Sequence, residues 1–479
     1  MIRPVALLAI AMWLASAHGQ ATTPLMLDEV LAASAEHFPK IQEAIAKRRV
    51  AAGEQDAALG AFDVVLSADS YSWASGFYDG NIIGGKATQP LRSLGADVYG
   101  QYRISTGDFP IYQDENFTNL GGQAKVGVVF SLLRDRDIDK RRFAETDALF
   151  ILRDADIEVL LTQIAVQQKA ASSYWNWVAA GRALQIYRDL LSIAEERNVG
   201  LRKQLKQGAI AAIFVTENEQ NITRRRYFVT QAERDFQQAT VALSFYYRNS
   251  DGKTAIAGAD RLPVELPLAR VNDTAALTSD ATIDEALRRR PEVASLQNAI
   301  DRAMNKMALL ENDLKPSLDV TVELSDGLGG IGEGGSSRAT TDTTIGLSFS
   351  VPLQRRAARA RLDQARNKLD AMRLEQQRVE ERIALEVQDL AISLRYAGEL
   401  ATLADQEVDQ SQLLADAERK RFRSGASDFF VVNVREQTVA NVQVRAVAAR
   451  LETQLSRVNL DAATINLEPL GLDPLRPLP

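Results

Sequence analysis

The sequence predicts an α+β membrane protein in which long coiled-coil helices continue from the strands of a transmembrane β-barrel, laid out as two tandem copies of one plan. Three observations carry this. Alternating stretches that read as strands run straight into charged helical segments twice, at "KVGVVFSLLRDRDIDKRR" (125–142) and "TIGLSFSVPLQRRAARA" (344–360). Each is followed at a nearly constant distance by a glycine break, since Gly127 to Gly208 is 81 residues and Gly346 to Gly425 is 79. The stretches around those breaks, "KQLKQGAIAAIFVTENEQ" (203–220) and "KRFRSGASDFFVVNVREQ" (420–437), match at Lys203 and Lys420, Ala209 and Ala426, and Glu219-Gln220 and Glu436-Gln437.

The chain opens on "MIRPVALLAIAMWLASAHG": Arg3, an apolar run from Val5 to Leu14, and the small-x-small triplet Ala15-Ser16-Ala17. This predicts a signal peptide over 1–17, cleaved near Ala17, and an exported protein. Its apolar run is too short to span about 30 Å of hydrocarbon, and no later stretch approaches about 18 uninterrupted apolar residues. Membrane contact must therefore use strands. With no cysteine, a lipid-anchored lipoprotein is not expected.

The first copy, 18–248, reads as a helix over about 28–60, strands within about 62–132, a long helix over about 135–206 and a return helix over about 211–247. Its main strands fall at about 62–73 and 122–132, with a further strand-like stretch at 95–105. A linker over 249–281 carries Pro263 and Pro267. The second copy, 282–465, repeats the plan: a helix over about 283–313 opened by a capping box of Thr282 and Glu285, strands at about 317–326 and 343–351, a long helix over about 353–423 and a return helix over about 427–465. Residues 466–479, with four prolines, read as an irregular tail.

A helix of about 70 residues is about 105 Å long and needs partners along its whole length. The two shorter helices of each copy, end to end, match that length. The series Leu362, Ala365, Leu369, Met372, Gln376, Val379, Ile383, continued in another register by Val387, Leu390, Leu394, Ala397, Ala401, Ala404, Val408, predicts lateral coiled-coil packing.

In 344–351, Ile345, Leu347, Phe349 and Val351 oppose Thr344, Gly346, Ser348 and Ser350; 125–132 and 318–325 split likewise. With Asp63, Ser67, Asp319 and Glu323 on the polar side and no spare amphipathic helix for the apolar side, lipid outside and water inside satisfies both faces. Four main strands cannot close a barrel, so several chains must share one. Tyr71 and Trp73 suit either an interfacial aromatic girdle or plain packing, and "SDGLGGIGEGGSS" (325–337) reads as a hairpin tip rather than a phosphate loop, because no helix with a Lys-Ser/Thr pair follows it.

Chemistry is scarce. Two histidines, His18 and His37, and no cysteine exclude thiol and soft-metal chemistry and leave little for a catalytic triad, so neither an enzyme nor a cofactor is expected. Net charge is -7 with acids and bases mixed, which gives no basic stripe for nucleic acid.

The motifs "GLSFSVPLQRRAARARLDQA", "GVVFSLLRDRDIDKRRFAE", "RKRFRSGASDFFVV" and "EALRRRPEV", in duplicated order behind a signal peptide, resemble the TolC-like outer membrane efflux proteins. The resemblance implies a homotrimer whose chains share a twelve-strand barrel in the outer membrane of a Gram-negative bacterium, continuous with a twelve-helix barrel in the periplasm. It implies a passive exit duct, in a tripartite efflux or type I secretion system, that docks to a periplasmic adaptor and an inner-membrane pump. A periplasmic coiled-coil adaptor is the alternative, and it would carry one helical hairpin rather than two copies.

The same resemblance places the periplasmic tips at the glycine breaks, with Lys203, Gly208, Arg421 and Gly425 as candidates for adaptor docking. The family's entrance aspartates fall here on Val431 and Val434, leaving Asp428, Phe429 and Phe430 as candidates for a constriction; Asp428 alternatively caps the returning helix. Gly127, Phe130, Gly346, Phe349 and Pro352 mark the strand-to-helix junctions, Pro352 being suited to a first helical turn.

Overall fold

The computed structural model describes residues 23–110, 116–269, 280–332 and 340–473. The expected signal peptide and the end of the 325–337 tip lie outside the described residues. In chain order the main elements are α1 (Leu27–His37), α2 (Pro39–Leu59), β1 (Val65–Ser72), β2 (Asn81–Pro90), β3 (Asp97–Thr106), β4 (Gln123–Ser131), α3 (Lys140–Lys206) and α4 (Ala212–Ser244). Then follow α5 (Asp280–Arg289), α6 (Pro291–Asn312), β5 (Ser317–Gly327), β6 (Asp342–Ser350), α7 (Arg356–Arg423) and α8 (Phe429–Ala463).

Prolines break the helices expected over about 28–60 and 283–313. Pro39 and Pro291 have no N–H for the helical ladder and drive the residue before them out of the helical region. Phe38 (φ -74°, ψ 123°) and Arg290 (φ -65°, ψ 120°) are accordingly extended, and each proline opens the next helix. Because α5 begins at Asp280, Thr282 lies inside the helix and the expected capping box does not open it; Glu285 instead pairs with Arg288 at 2.6 Å and Arg289 at 2.5 Å.

The six strands form one antiparallel sheet in sequence order, with β4 against β5. This corrects the count of four main strands. The stretch at 95–105 is a full strand, and "NIIGGKATQP" supplies β2, which its two glycines and terminal proline had concealed. A single 3-10 turn at Gly60–Phe62 precedes β1, so Asp63 stands outside the strand.

The long helices begin later than expected, at Lys140 and Arg356. In each junction one non-glycine residue takes a left-handed conformation, Asp135 (φ 69°) and Arg355 (φ 44°). The chain therefore turns between strand and helix, and Pro352 sits ahead of that turn rather than in the first helical turn. Every member of the predicted coiled-coil series on α7 is buried or half-buried.

Two compact units divide the chain. The first, 1–34 with 169–270 and 396–457, is helical among its described residues, and its core gathers Leu25, Val30, Tyr174, Trp177, Val178, Leu243 and Leu266. Within it α3 and α4 are laced by Arg188–Glu233 (3.1 Å) and Arg226–Glu195 (2.7 Å), while α7 and α8 are joined by Arg450–Asp405 (3.0 Å) and Arg445–Glu407 (3.2 Å).

The second unit, 35–168 with 271–395 and 458–479, holds the sheet and the strand-proximal helices. There α2 meets α3 through Arg48–Asp156 (2.6 Å) and α6 meets α3 through Arg302–Asp147 (2.7 Å). Ile283 and Ala286 of α5 pack on Val379, Ile383 and Val387 of α7. Each long helix thus finds lateral partners near its strand end and near its glycine end, as the length matching required.

Candidate functional site

The sheet register sorts side chains cleanly onto two faces. Directly opposed residues share a face, so Lys86, Gln101, Lys125 and Ser325 lie on one, together with Glu323, Thr344 and Asp319. The other carries Ile83 and Ile104, Val126 and Leu324, Phe130 and Val320, Leu318 and Phe349. Its only Asp, Glu, Lys or Arg within the strands is Asp326, near the end of β5. The apolar face is open to its surroundings: Leu347 is 73% exposed, and Leu66, Ile345 and Phe349 are likewise exposed.

The polar face is built around Tyr99. Its hydroxyl donates to Glu323, which also pairs with Lys125 at 3.4 Å, and the Lys86 ammonium stands 4.2 Å from the Tyr99 ring centre. Gly127 is what permits this, since a Cβ there would come within 2.5 Å of the ring. Gly346 has no such role, its nearest neighbour being Thr321 Cβ at 3.7 Å. At the strand ends away from the helices, Trp73 packs edge-on against Phe109 (5.3 Å) in a cluster with Ile82 and Phe117, the packing alternative for that residue.

The glycine breaks are two instances of one turn. Gly208 (φ 69°) donates to Leu205 O at 2.9 Å, and Ala209 donates to Gln204 O at 2.9 Å. Gly425 (φ 76°) donates to Phe422 O at 3.0 Å, and Ala426 to Arg421 O at 2.9 Å. These are Schellman motifs, which close a helix on a left-handed residue and favour glycine there. Lys203, Gly208, Arg421 and Gly425 are all exposed at these turns, with Arg421 donating back to Ala426 O.

After the second break Asp428 caps α8, accepting the Phe430 N–H at 3.1 Å. Phe429 turns inward, 3% exposed, with the Arg197 guanidinium 5.4 Å from its ring centre, whereas Phe430 is 61% exposed.

Behind the tip lies a buried charge cluster that sequence reasoning missed. Glu436 of α8, 2% exposed, accepts from Arg197 of α3, Arg225 of α4 (3.2 Å) and Arg419 of α7 (3.4 Å). Burial pushes its carboxyl upward, but the surrounding arginines outweigh this and hold it below the usual 4.5. Burial likewise pulls Arg225 down, against the pull of Glu436. The signal available in the sequence was the glutamate standing 11 residues after each glycine. Glu219, at the corresponding place, pairs among the described residues with exposed Arg202 at 2.6 Å. What distinguishes Glu436 is Arg225, which arrives from a distant helix.

Of the junction residues, Gly127 and Gly346 lie on the polar face and Phe130 and Phe349 on the apolar one, all within the strands. The junction itself is fastened by residues outside that set. Asn312, at the end of α6, accepts from the Asp135 N–H (2.9 Å) and donates to the Asp135 carboxylate (2.8 Å). Arg142 donates to the carbonyls of Asp135, Arg136 and Asp137, and Arg355 to that of Leu314.

Residues 282–464 match the sequence model of the family described as outer membrane efflux protein. No curated protein sequence matches the chain. Among solved structures, the outer membrane protein VceC of Vibrio cholerae superposes with a TM-score of 0.62 at 15% identity, covering 91% of this chain and 95% of its own. The CmeC outer membrane channel of Campylobacter jejuni gives 0.61 at 13% identity, covering 94% and 90%. The open-state MtrE outer membrane channel of Neisseria gonorrhoeae gives 0.62 at 15% identity, covering 91% and 88%. The chain thus carries the sequence pattern of the outer membrane efflux protein family over residues 282–464 and, across most of its length, a fold like that of these outer-membrane channels.

Proposed function

We propose that the protein is the outer-membrane exit duct of a tripartite efflux or type I secretion system, a trimer set in the outer membrane of a Gram-negative bacterium and reaching into the periplasm. The observation that carries this reading is the sheet: one face is apolar and exposed, the other polar and ion-paired, and each edge strand, β1 and β6, is paired on one side only among the described residues. Lipid on one side, water on the other and further copies at the edges satisfy all three conditions. A second support for several copies is the exposed stripe Leu385, Ile392, Tyr396 and Leu403 on α7, whose spacing of 7, 4 and 7 residues is that of a coiled-coil seam.

Within this reading the two halves, 18–248 and 282–465, are tandem repeats joined by the 249–281 segment. The Schellman turns at Gly208 and Gly425, with Lys203 and Arg421, face the periplasmic adaptor that couples the duct to an inner-membrane pump. Of the constriction candidates, Phe430 is the side chain free to line an entrance; Asp428 is engaged as a cap and Phe429 is packed. The adaptor alternative is disfavoured by two helical hairpins, α3–α4 and α7–α8, and by the open apolar face.

Purified protein reconstituted in planar bilayers should give discrete conductance steps, and chemical cross-linking in detergent should stop at trimers. A monomer with no conductance would overturn the reading.

A further inference from the structure

We propose that the β2–β3 hairpin is built into the membrane wall, so that three copies close an eighteen-stranded barrel instead of the twelve-stranded one that the resemblance implies; this rests on the channel reading above. The hairpin is no surface appendage. It lies between β1 and β4, paired with β1 over the full length of that strand and with β4 from Asp97 to Arg103. Its strands have 10 residues each, the length that crosses a membrane at a tilt.

Its two faces continue those of the neighbouring strands without a change of register. Ile83 and Ile104 extend the apolar face, while Lys86 and Gln101 extend the polar one. Its helix-side turn is fastened to the strand-to-helix junction: Ser131 N–H donates to Leu94 O, Arg92 pairs with Glu145 (3.3 Å) and Asp97 with Arg141 (2.7 Å). At the other end Asp108 N–H donates to the Asp79 carboxylate at 3.0 Å.

The edges permit closure. With six strands in an antiparallel meander, β1 and β6 run in opposite directions, so β6 of one copy can extend antiparallel to β1 of the next. Barrel diameter grows nearly in proportion to strand number. At about 4.8 Å between strands and a tilt of about 40°, eighteen strands give a backbone diameter of about 36 Å against about 24 Å for twelve. The hairpin also brings Lys86 and Arg103 into the lumen.

The chain has no cysteine, so single-cysteine variants report cleanly. In protein assembled in outer membranes, a water-soluble maleimide should label Lys86→Cys and Gln101→Cys, with labelling lost at Ile83→Cys and Ile104→Cys. On β6, Ser348→Cys should label and Leu347→Cys should not. If β6 alternates while both faces of the hairpin label alike, the hairpin stands in water and the proposal fails, with the channel reading intact. If β6 does not alternate either, the channel reading itself falls. For the seam, Ser67→Cys or Asp69→Cys on β1 is combined with Thr344→Cys or Ser348→Cys on β6. Oxidation should link copies for at least one pair; a failure of all four pairs would overturn the seam.

Discussion

Three arginines converge on Glu436, which is buried. Removing one partner from a buried charge cluster leaves the others uncompensated, so Glu436→Gln should destabilise the helical unit by about 3–5 kcal/mol, read from unfolding of the purified protein in detergent. The carboxyl is held below 4.5, so its contribution is complete above that pH and is lost as pH falls through the lowered folded value. The gap between wild type and Glu436→Gln should therefore narrow on acidification below about 4.5, and a gap independent of pH would contradict the assignment. This residue also shows where sequence reasoning stops. The duplicated Glu219 and Glu436 were visible as a pair, but their different fates depend on Arg225 and Arg197, and tertiary neighbours of that kind leave no periodic trace.

At the scale of elements, the helices and their glycine ends were legible because each rests on local rules: apolar spacing along α7, and glycine where a Schellman turn needs a left-handed residue. The breaks at Pro39 and Pro291 were equally local, and the signal lay in the prolines themselves. The β2 strand was not legible, since its glycines and weak alternation become a strand only through pairing with β1 and β3 on both sides. The junctions belong with it, as they are fixed by contacts between distant segments. Asn312→Ala removes both hydrogen bonds to Asp135, one of them to a charged carboxylate, and should cost about 1–3 kcal/mol. The variant should show faster proteolysis around residues 132–139 while the far glycine turns keep their protection. Unchanged cleavage there would show that the Asn312 bonds do not hold the turn.

For the molecule as a whole, assembly should depend on the exposed seam of α7. Leu403→Glu places a charge on that seam without touching the buried series on another side of the helix, where Ala397, Ala401 and Ala404 lie. Mass photometry should then find monomers of unchanged helix content by circular dichroism where wild type gives trimers. Trimers that persist in Leu403→Glu would show that copies meet elsewhere. The apolar and polar faces of the sheet were readable as an alternation, but what pairs with its two edges was not, because a single chain encodes its edges without encoding what meets them.

The placement of the β2–β3 hairpin has an evolutionary consequence. Both of its ends lie on strands whose own connections to α2 and α3 stay where they are, and its inner turn rests on a junction that is already fastened. Adding or deleting strands two at a time at this point keeps every pairing antiparallel and leaves the helix attachments unmoved. If the copies close as proposed, insertion or loss of a single hairpin tunes the bore on a separate evolutionary track from the turns at Gly208 and Gly425.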